Sequence, residues 1–588
     1  MDITLDDRLN VLQQISQRKF VEILDAIPGT KDLVIEQKLM KILDSFIGVS
    51  ILKRYGVEKI YKMEQGLKLT NSQHIFLVSS DLIACKRVLD QIQSEISLNM
   101  RPRLQPNHHI LVTPFVPTVL GSIIEEEGLS GLVTLQTLCW EFIRLDGNIL
   151  SLENAMFIDL YYHKDTTLLP ALARCLWSLQ LIVGAPKLTV SIGKYSQQLL
   201  KIMESMKQCL GSSNIENEIG TLILMDRNYD FATSLLTPVT YVGLLHEVID
   251  INVGVGILGK SQTKLDPDKD QIYREVRDTP CSDVFPILHG KAKSLKSEQD
   301  AIQTMKLSEM EKYVSTKLQK TRDLTRHLAF HISACQLIAD TLGSDFQTLQ
   351  KIEKCILECR ERKECFNYIE RYIGMNYYFV MSRFIFKSIY FSDDHPLRTL
   401  RLLCLLSIVS DGITQNELHS IQKVHLHAHG YRHTPLFYKL QSIGLLRYRA
   451  ENIFHKLPNW TSEWNNNAQK LKLFPSTSKQ AEQQSRSCPS YVFNNAYIPL
   501  IAQVLNAIVN QEKDPKNLEE LANLSNCVIN GQRGSLLPKM VVICIIGGIT
   551  YAEITACRFI EKSTGIRLVL ASDSIITGNK MLEKVQEI

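Results

Sequence analysis

Met540 to Ile546 is seven apolar residues without a break. A strand with one wet face alternates polar and apolar residues, so an unbroken run of this length must be covered on both faces. Short runs of the same kind fall at Asp32–Glu36, His74–Val78, His109–Thr113, Leu188–Ile192, Leu222–Met225 and Leu568–Ala571, with helical spacing between them. Strands buried on both sides and separated by helices build parallel α/β sheets. From about residue 270 to 450 the pattern turns almost wholly helical. The chain is therefore read as two α/β domains, the second interrupted by a helical excursion and closed by the C-terminal segment. Ser261–Asp270 and Asn465–Pro489 read as polar loop and linker.

At 588 residues the chain exceeds a single core, and several domains are expected. A formal charge of +4 argues against nucleic acid as the main partner, since phosphate binding needs a concentrated basic surface. Met540–Ile546 is the longest clean apolar run and falls far short of a membrane span. The acidic start Met1–Thr4 does not read as an export signal. Fourteen cysteines without a C-x-x-C pair read as idle thiols of a reducing compartment. A cytoplasmic protein, peripheral on membranes, is expected.

Five features invite a chemical reading. Asp226-Arg227-x-x-Asp230 ends an apolar run, as does the nucleophilic Asp of haloacid-dehalogenase phosphotransferases, but Asn228 stands where that chemistry needs its acid/base. The expectation is structural: carboxylates capping the turn and pairing with Arg227. Gly254-Val-Gly256-Ile-Leu-Gly259-Lys260-Ser261 matches the phosphate-loop pattern, which makes a nucleotide-dependent switch the alternative reading. A working loop opens a helix, whereas Pro267 follows shortly and a loop is expected. His419, His425, His427, His429 and His433 crowd into fifteen residues; they are read as exposed helix-end histidines, with no metal expected. Met375–Phe391 carries seven aromatics in seventeen residues and is read as an anomalous insertion, 375–391. Cys355 and Cys359 share a helical face and read as packing.

Leu222-Ile-Leu-Met-Asp226-Arg227-Asn-Tyr-Asp230, followed by Thr237-Pro238 and Tyr241-Val-Gly-Leu-Leu245, resembles the first signature of the SM (Sec/Munc-type, syntaxin-binding) family. Ile546-Gly547-Gly548-Ile549-Thr550-Tyr551-Ala552-Glu553, with Arg558-Phe559, is similar to the second, and Asn495–Leu500 to the segment before it. Pro28–Leu33, Val49–Lys53, Leu400–Ser407, His331–Cys335 and Gly444–Leu446 resemble a B-type vacuolar-sorting branch of that family. The resemblance implies an SM-type arch of α/β plus all-α class: two α/β domains with parallel sheets and a large helical third domain inserted into the second. It implies domain 1 over 1–130, domain 2 over 131–245 and 485–588, domain 3a over 246–345, and domain 3b over 346–484. Asp226, Arg227, Asp230, Gly547, Gly548, Thr550 and Glu553 are then a structural family motif.

The resemblance also implies a function without a catalytic centre or cofactor: a SNARE-assembly chaperone in vesicle docking and fusion at late endosomes and lysosomes. Lys291 to Arg326 carries nine Lys/Arg against five Asp/Glu, and the following helix carries Leu324 and Leu328. Lys317, Lys320, Arg326, Leu324 and Leu328 are the SNARE-binding candidates. Tyr431, Leu436 and Phe437 are the candidates for a VIPAR-like tether subunit related to vacuolar protein sorting-associated protein 16. A scaffold that binds tethers but no SNARE is the remaining alternative.

Overall fold

The computed structural model describes residues 4–587 apart from 65, 99–106, 211–218, 304–317, 344–345, 360–361, 372–396, 450–462, 476–487, 511–514, 525 and 532–539. The aromatic stretch 375–391 and Lys317 lie outside the described residues.

The first sheet contains β1 (Lys31–Ile35), β2 (Val57–Lys62), β3 (Gln73–Ser79), β4 (Asn107–Thr113) and β5 (Val133–Thr137), all parallel, in the order β2-β1-β3-β4-β5. The inner strands β1, β3 and β4 are the apolar runs of the sequence. The outer strands, Val-Glu-Lys-Ile-Tyr-Lys and Val-Thr-Leu-Gln-Thr, are largely exposed and carry polar residues. An edge strand needs no unbroken apolar run, which is why neither stands out in the sequence. The sheet extends to Thr137, past the expected boundary at residue 130.

The second sheet starts with β6 (Ile143–Asp146), β7 (Ile149–Ser151), β8 (Leu188–Ile192) and β9 (Ile219–Asp226). The chain then leaves for the helical excursion. That excursion opens not with a helix but with an antiparallel meander, β10 (Asp250–Asn252), β11 (Val255–Leu258) and β12 (Ser261–Lys264). The expected loop from Ser261 thus begins as a strand. After the excursion, β13 (Cys527–Gly531), β14 (Met540–Ile546) and β15 (Arg567–Ser572) complete the order β13-β8-β9-β14-β15-β7-β6. β14 lies parallel to β9 with Ile546 opposite Asp226, so the two signatures end side by side.

Within the excursion the helices Cys281–Gln303 and Leu318–Leu342 pack together as a hairpin. Leu397–Val409 is buried around almost its whole circumference, as a helix apolar on every side must be. It packs against Phe346–Leu357, Phe231–Leu235 and Gly578–Glu587, joining the helical block to the second sheet's domain.

Candidate functional site

The junction of the two signatures is built from buried charges. Asp226 closes β9 and accepts the backbone N–H of Tyr195 and of Ser196, both at 2.8 Å, so it holds the N-terminus of the helix Lys194–Leu210. Gly193 makes room for it: a Cβ there would stand 2.3 Å from the carboxyl carbon. Burial pushes the Asp226 carboxyl up to about 6 against those N–H bonds. Both carboxylate oxygens are engaged and the side chain is withdrawn from solvent, the role of a structural cap.

Arg227 does not pair with its neighbours' carboxylates as expected. Its guanidinium reaches Glu553 of the second signature in a two-pronged contact, 2.8 Å from Oε2 and 2.7 Å from Oε1. It also donates to the carbonyls of Gly548 at 3.3 Å and Asp230 at 2.5 Å. Asp230 caps the helix Phe231–Leu235 through the Thr233 N–H and accepts from Tyr497 and the Leu500 N–H. Thr550 and Glu553 form a capping box on the helix Tyr551–Thr564. Gly547 and Gly548 have φ of 99° and 100° and donate both N–H groups to Asp573 Oδ1 at 2.7 and 2.8 Å. Asp573 was missed in the sequence; its signal is a lone acid directly after the buried run of β15.

The phosphate-loop match folds as strand, turn and strand. Gly254 lies in the turn between β10 and β11, Gly259 and Lys260 make the turn into β12, and Ser261 donates its hydroxyl to the Leu258 carbonyl at 2.9 Å. No helix N-terminus follows Ser261, so the cradle that a nucleotide switch requires is absent from this segment.

On the hairpin, Lys320 and Arg326 are exposed, Arg326 standing 3.9 Å from Asp323. Leu324 is half-buried. Leu328, with 6% exposure, packs inward, contrary to its expected place in a binding groove. The inward face also carries His331, which contacts Asp270 at 2.9 Å and the Tyr241 hydroxyl at 2.7 Å. These buried contacts hold the hairpin on the helices Tyr241–Val248 and Gln271–Val276.

At the second candidate surface Tyr431 is 70% exposed, and the neighbouring Tyr438, which the sequence reading passed over, is 68% exposed. Leu436 and Phe437 are each 2% exposed and belong to the core, not to an open docking face. The histidines also differ from expectation. His425 and His433 are buried and touch, Nε2 to Nδ1 at 3.2 Å, while His419 and His427 stay exposed. Burial, with His429 and His433 alongside, pushes His425 down to about 3.

A cavity of about 410 Å³ lies between the helical block and the second domain, bordered by His246, Glu247, Glu353, Arg398, Arg401 and Lys580. Glu353 crosses this boundary: it accepts from the Thr237 hydroxyl at 2.7 Å and from its N–H at 3.2 Å.

A model of the Sec1 family matches residues 31–584. The chain belongs to the Sec1 family. This Sec1-family chain is 26% identical to vacuolar protein sorting-associated protein 33B of Rattus norvegicus, over 98% of this chain and 97% of that one. The resemblance to the B type expected from Pro28–Leu33 and Leu400–Ser407 is thus borne out. Among solved structures it shares its fold with "SM Protein Vps45 in Complex with Qa SNARE Tlg2", TM-score 0.61 at 13% identity, covering 98% of this chain and 97% of that chain. The Unc18–syntaxin 1 complex from Monosiga brevicollis matches with TM-score 0.60 at 14% identity over 98% and 99% of the two chains. The SM-type α/β plus all-α fold is therefore that of this Sec1-family chain. No helix among its described residues is long and apolar enough to cross a membrane.

Proposed function

We propose that this chain is a SNARE-assembly chaperone that acts with a VIPAR-like tether subunit in docking and fusion at late endosomes and lysosomes. The observation that carries the reading is the hairpin Cys281–Gln303 and Leu318–Leu342. Its inner face is locked by Asp270, His331 and Tyr241, while Lys320 and Arg326 stand in solvent. The solved SM proteins Vps45 and Unc18 stand in complex with a Qa SNARE and with syntaxin 1, which supports a SNARE as the partner here.

The mechanism needs no covalent step. SNARE motifs are disordered alone and lose conformational freedom when they bind. A rigid surface holding them in register lowers that cost for the first turns of a bundle. Exposed lysines and arginines draw acidic helix faces in from a distance, at rates that fall with salt. The division that goes with this reading places SNARE work in 246–345 and tether contact in 346–484, with membrane association through the partners. Affinity capture on the full-length chain, read by mass spectrometry, tests it. Syntaxin-class proteins together with tether subunits are expected; tethers without any SNARE would leave the plain scaffold standing.

A further inference from the structure

In the first sheet the parallel register sets His74 of β3 directly beside His108 of β4. Neighbours in register share a face, and the two rings meet edge to face with centroids 5.2 Å apart. The helix Leu82–Leu98 is the crossover between these strands and lies over that face. It brings Glu95 onto the pair: Oε2 stands 2.9 Å from His74 Nδ1 and 3.1 Å from His108 Nε2. All three side chains are withdrawn from solvent, and their ligand atoms lie within 4.8 Å of one another.

The contacts contain a conflict. His74 Nε2 faces the Asn71 carbonyl at 3.1 Å, and Nδ1 faces a carboxylate oxygen. A neutral imidazole has one N–H for two acceptors. With the N–H on Nε2, as the carbonyl demands, the Nδ1 lone pair points at Glu95. Either a proton shared with the carboxyl or a metal cation must lie between them. The surroundings are those of a metal site. The ring nitrogen away from the cluster donates to a backbone carbonyl, which orients the ring, and Asn71 is itself held by Asp32 at 2.7 Å. The other carboxylate oxygen, Oε1, accepts from Gln91 at 2.8 Å.

We propose that His74 Nδ1, His108 Nε2 and Glu95 Oε2 form a binding site for one divalent cation of the zinc class. Two imidazoles and one carboxylate suit that borderline ion, and three protein ligands leave a fourth position for water. Oxygen–nitrogen separations of 2.9 and 3.1 Å belong to the cation-free cluster. Ligand distances of about 2.0–2.2 Å ask for roughly 3.3 Å, so the site opens by a few tenths of an ångström on binding. The ion would clamp the end of the crossover helix to β3 and β4, far in sequence from the hairpin and from Tyr431.

Titration of the chelator-stripped full-length chain with zinc chloride tests this, with Co²⁺ as a coloured probe of coordination. The expected result is one zinc per chain, a thermal midpoint that climbs with zinc concentration, and visible Co²⁺ bands that zinc abolishes. His108→Asn and Glu95→Gln should lose the site. Gln91→Ala removes no ligand and spares the sheet, yet should weaken binding about tenfold or more. Circular dichroism shows which variants fold. Absence of zinc uptake by the wild-type chain overturns the proposal. Uptake that survives Glu95→Gln but is lost in His429→Gln overturns it as well, and puts the ion on the other histidine cluster.

Discussion

Arg227 and Glu553 are both fully buried, and each is the other's countercharge. Removing one partner of such a pair strands the other in a dry interior at a cost of about 3–5 kcal/mol. Arg227→Ala should lower stability by that much in urea unfolding, and Arg227→Lys should recover only part, because a point charge cannot make the two-pronged contact. Replacing both, as Arg227→Met with Glu553→Gln, should be milder than Arg227→Ala. An unchanged unfolding midpoint for Arg227→Ala would show that the pair does not hold the junction. Lys260 provides the contrast. It stands exposed on a turn between two strands, so Lys260→Ala should move stability by less than about 0.5 kcal/mol. ATP should bind neither form in equilibrium dialysis; micromolar binding removed by the substitution would restore the nucleotide switch.

Among the elements, the hairpin and the turn at Tyr431 should fail separately. Reversing Lys317, Lys320 and Arg326 to Glu changes the sign of long-range steering, so SNARE association should slow and its salt dependence should invert. Tether binding should persist. If Tyr431 lies in the proposed tether contact, Tyr431→Asp puts a charge where water is excluded and should cost the tether while leaving the SNARE. Surface plasmon resonance at two ionic strengths reads both; a folded variant losing both partners equally would defeat the separation. Leu436 and Phe437 are not instruments for this experiment. Phe437 packs edge to face on His425, and Phe437→Ala should cost about 3–5 kcal/mol of folding stability before any tether is added.

Across the whole molecule, Glu353 ties the helical block to the second domain through Thr237. Burial raises its carboxyl to about 7, with Arg401 and the Thr237 contacts opposing and Glu247 reinforcing. The unfolded chain titrates this glutamate near 4.5. Between those values the native state keeps a proton that the unfolded state has released. The group's contribution is therefore fully present below about pH 4.5 and is lost as pH rises through about 7. Glu353→Gln keeps the protonated shape at all pH values, so its stability relative to wild type should rise from pH 5 to pH 8. Urea unfolding at both pH values checks this, and identical slopes for the two proteins would place the titration elsewhere.

Part of this architecture is written locally in the chain. A strand covered on both faces must be apolar throughout, so β1, β3, β4, β8, β9, β14 and β15 are visible as runs, and the helical excursion shows in the change of period. The edge strands and the meander carry no such mark, because partial exposure permits polar residues. The long-range side-chain partners were decided by tertiary structure alone. Arg227 is followed closely by Asp230, yet its countercharge is 326 residues away, reached because β14 pairs in register with β9. His74, Glu95 and His108 look unrelated until one parallel pairing and its crossover helix stack them. Leu328, Leu436 and Phe437 sit beside exposed residues on amphipathic helices, and which side faces inward follows from what packs there. Periodicity reports that a face is apolar; only the packed neighbours determine whether a core or a partner covers it.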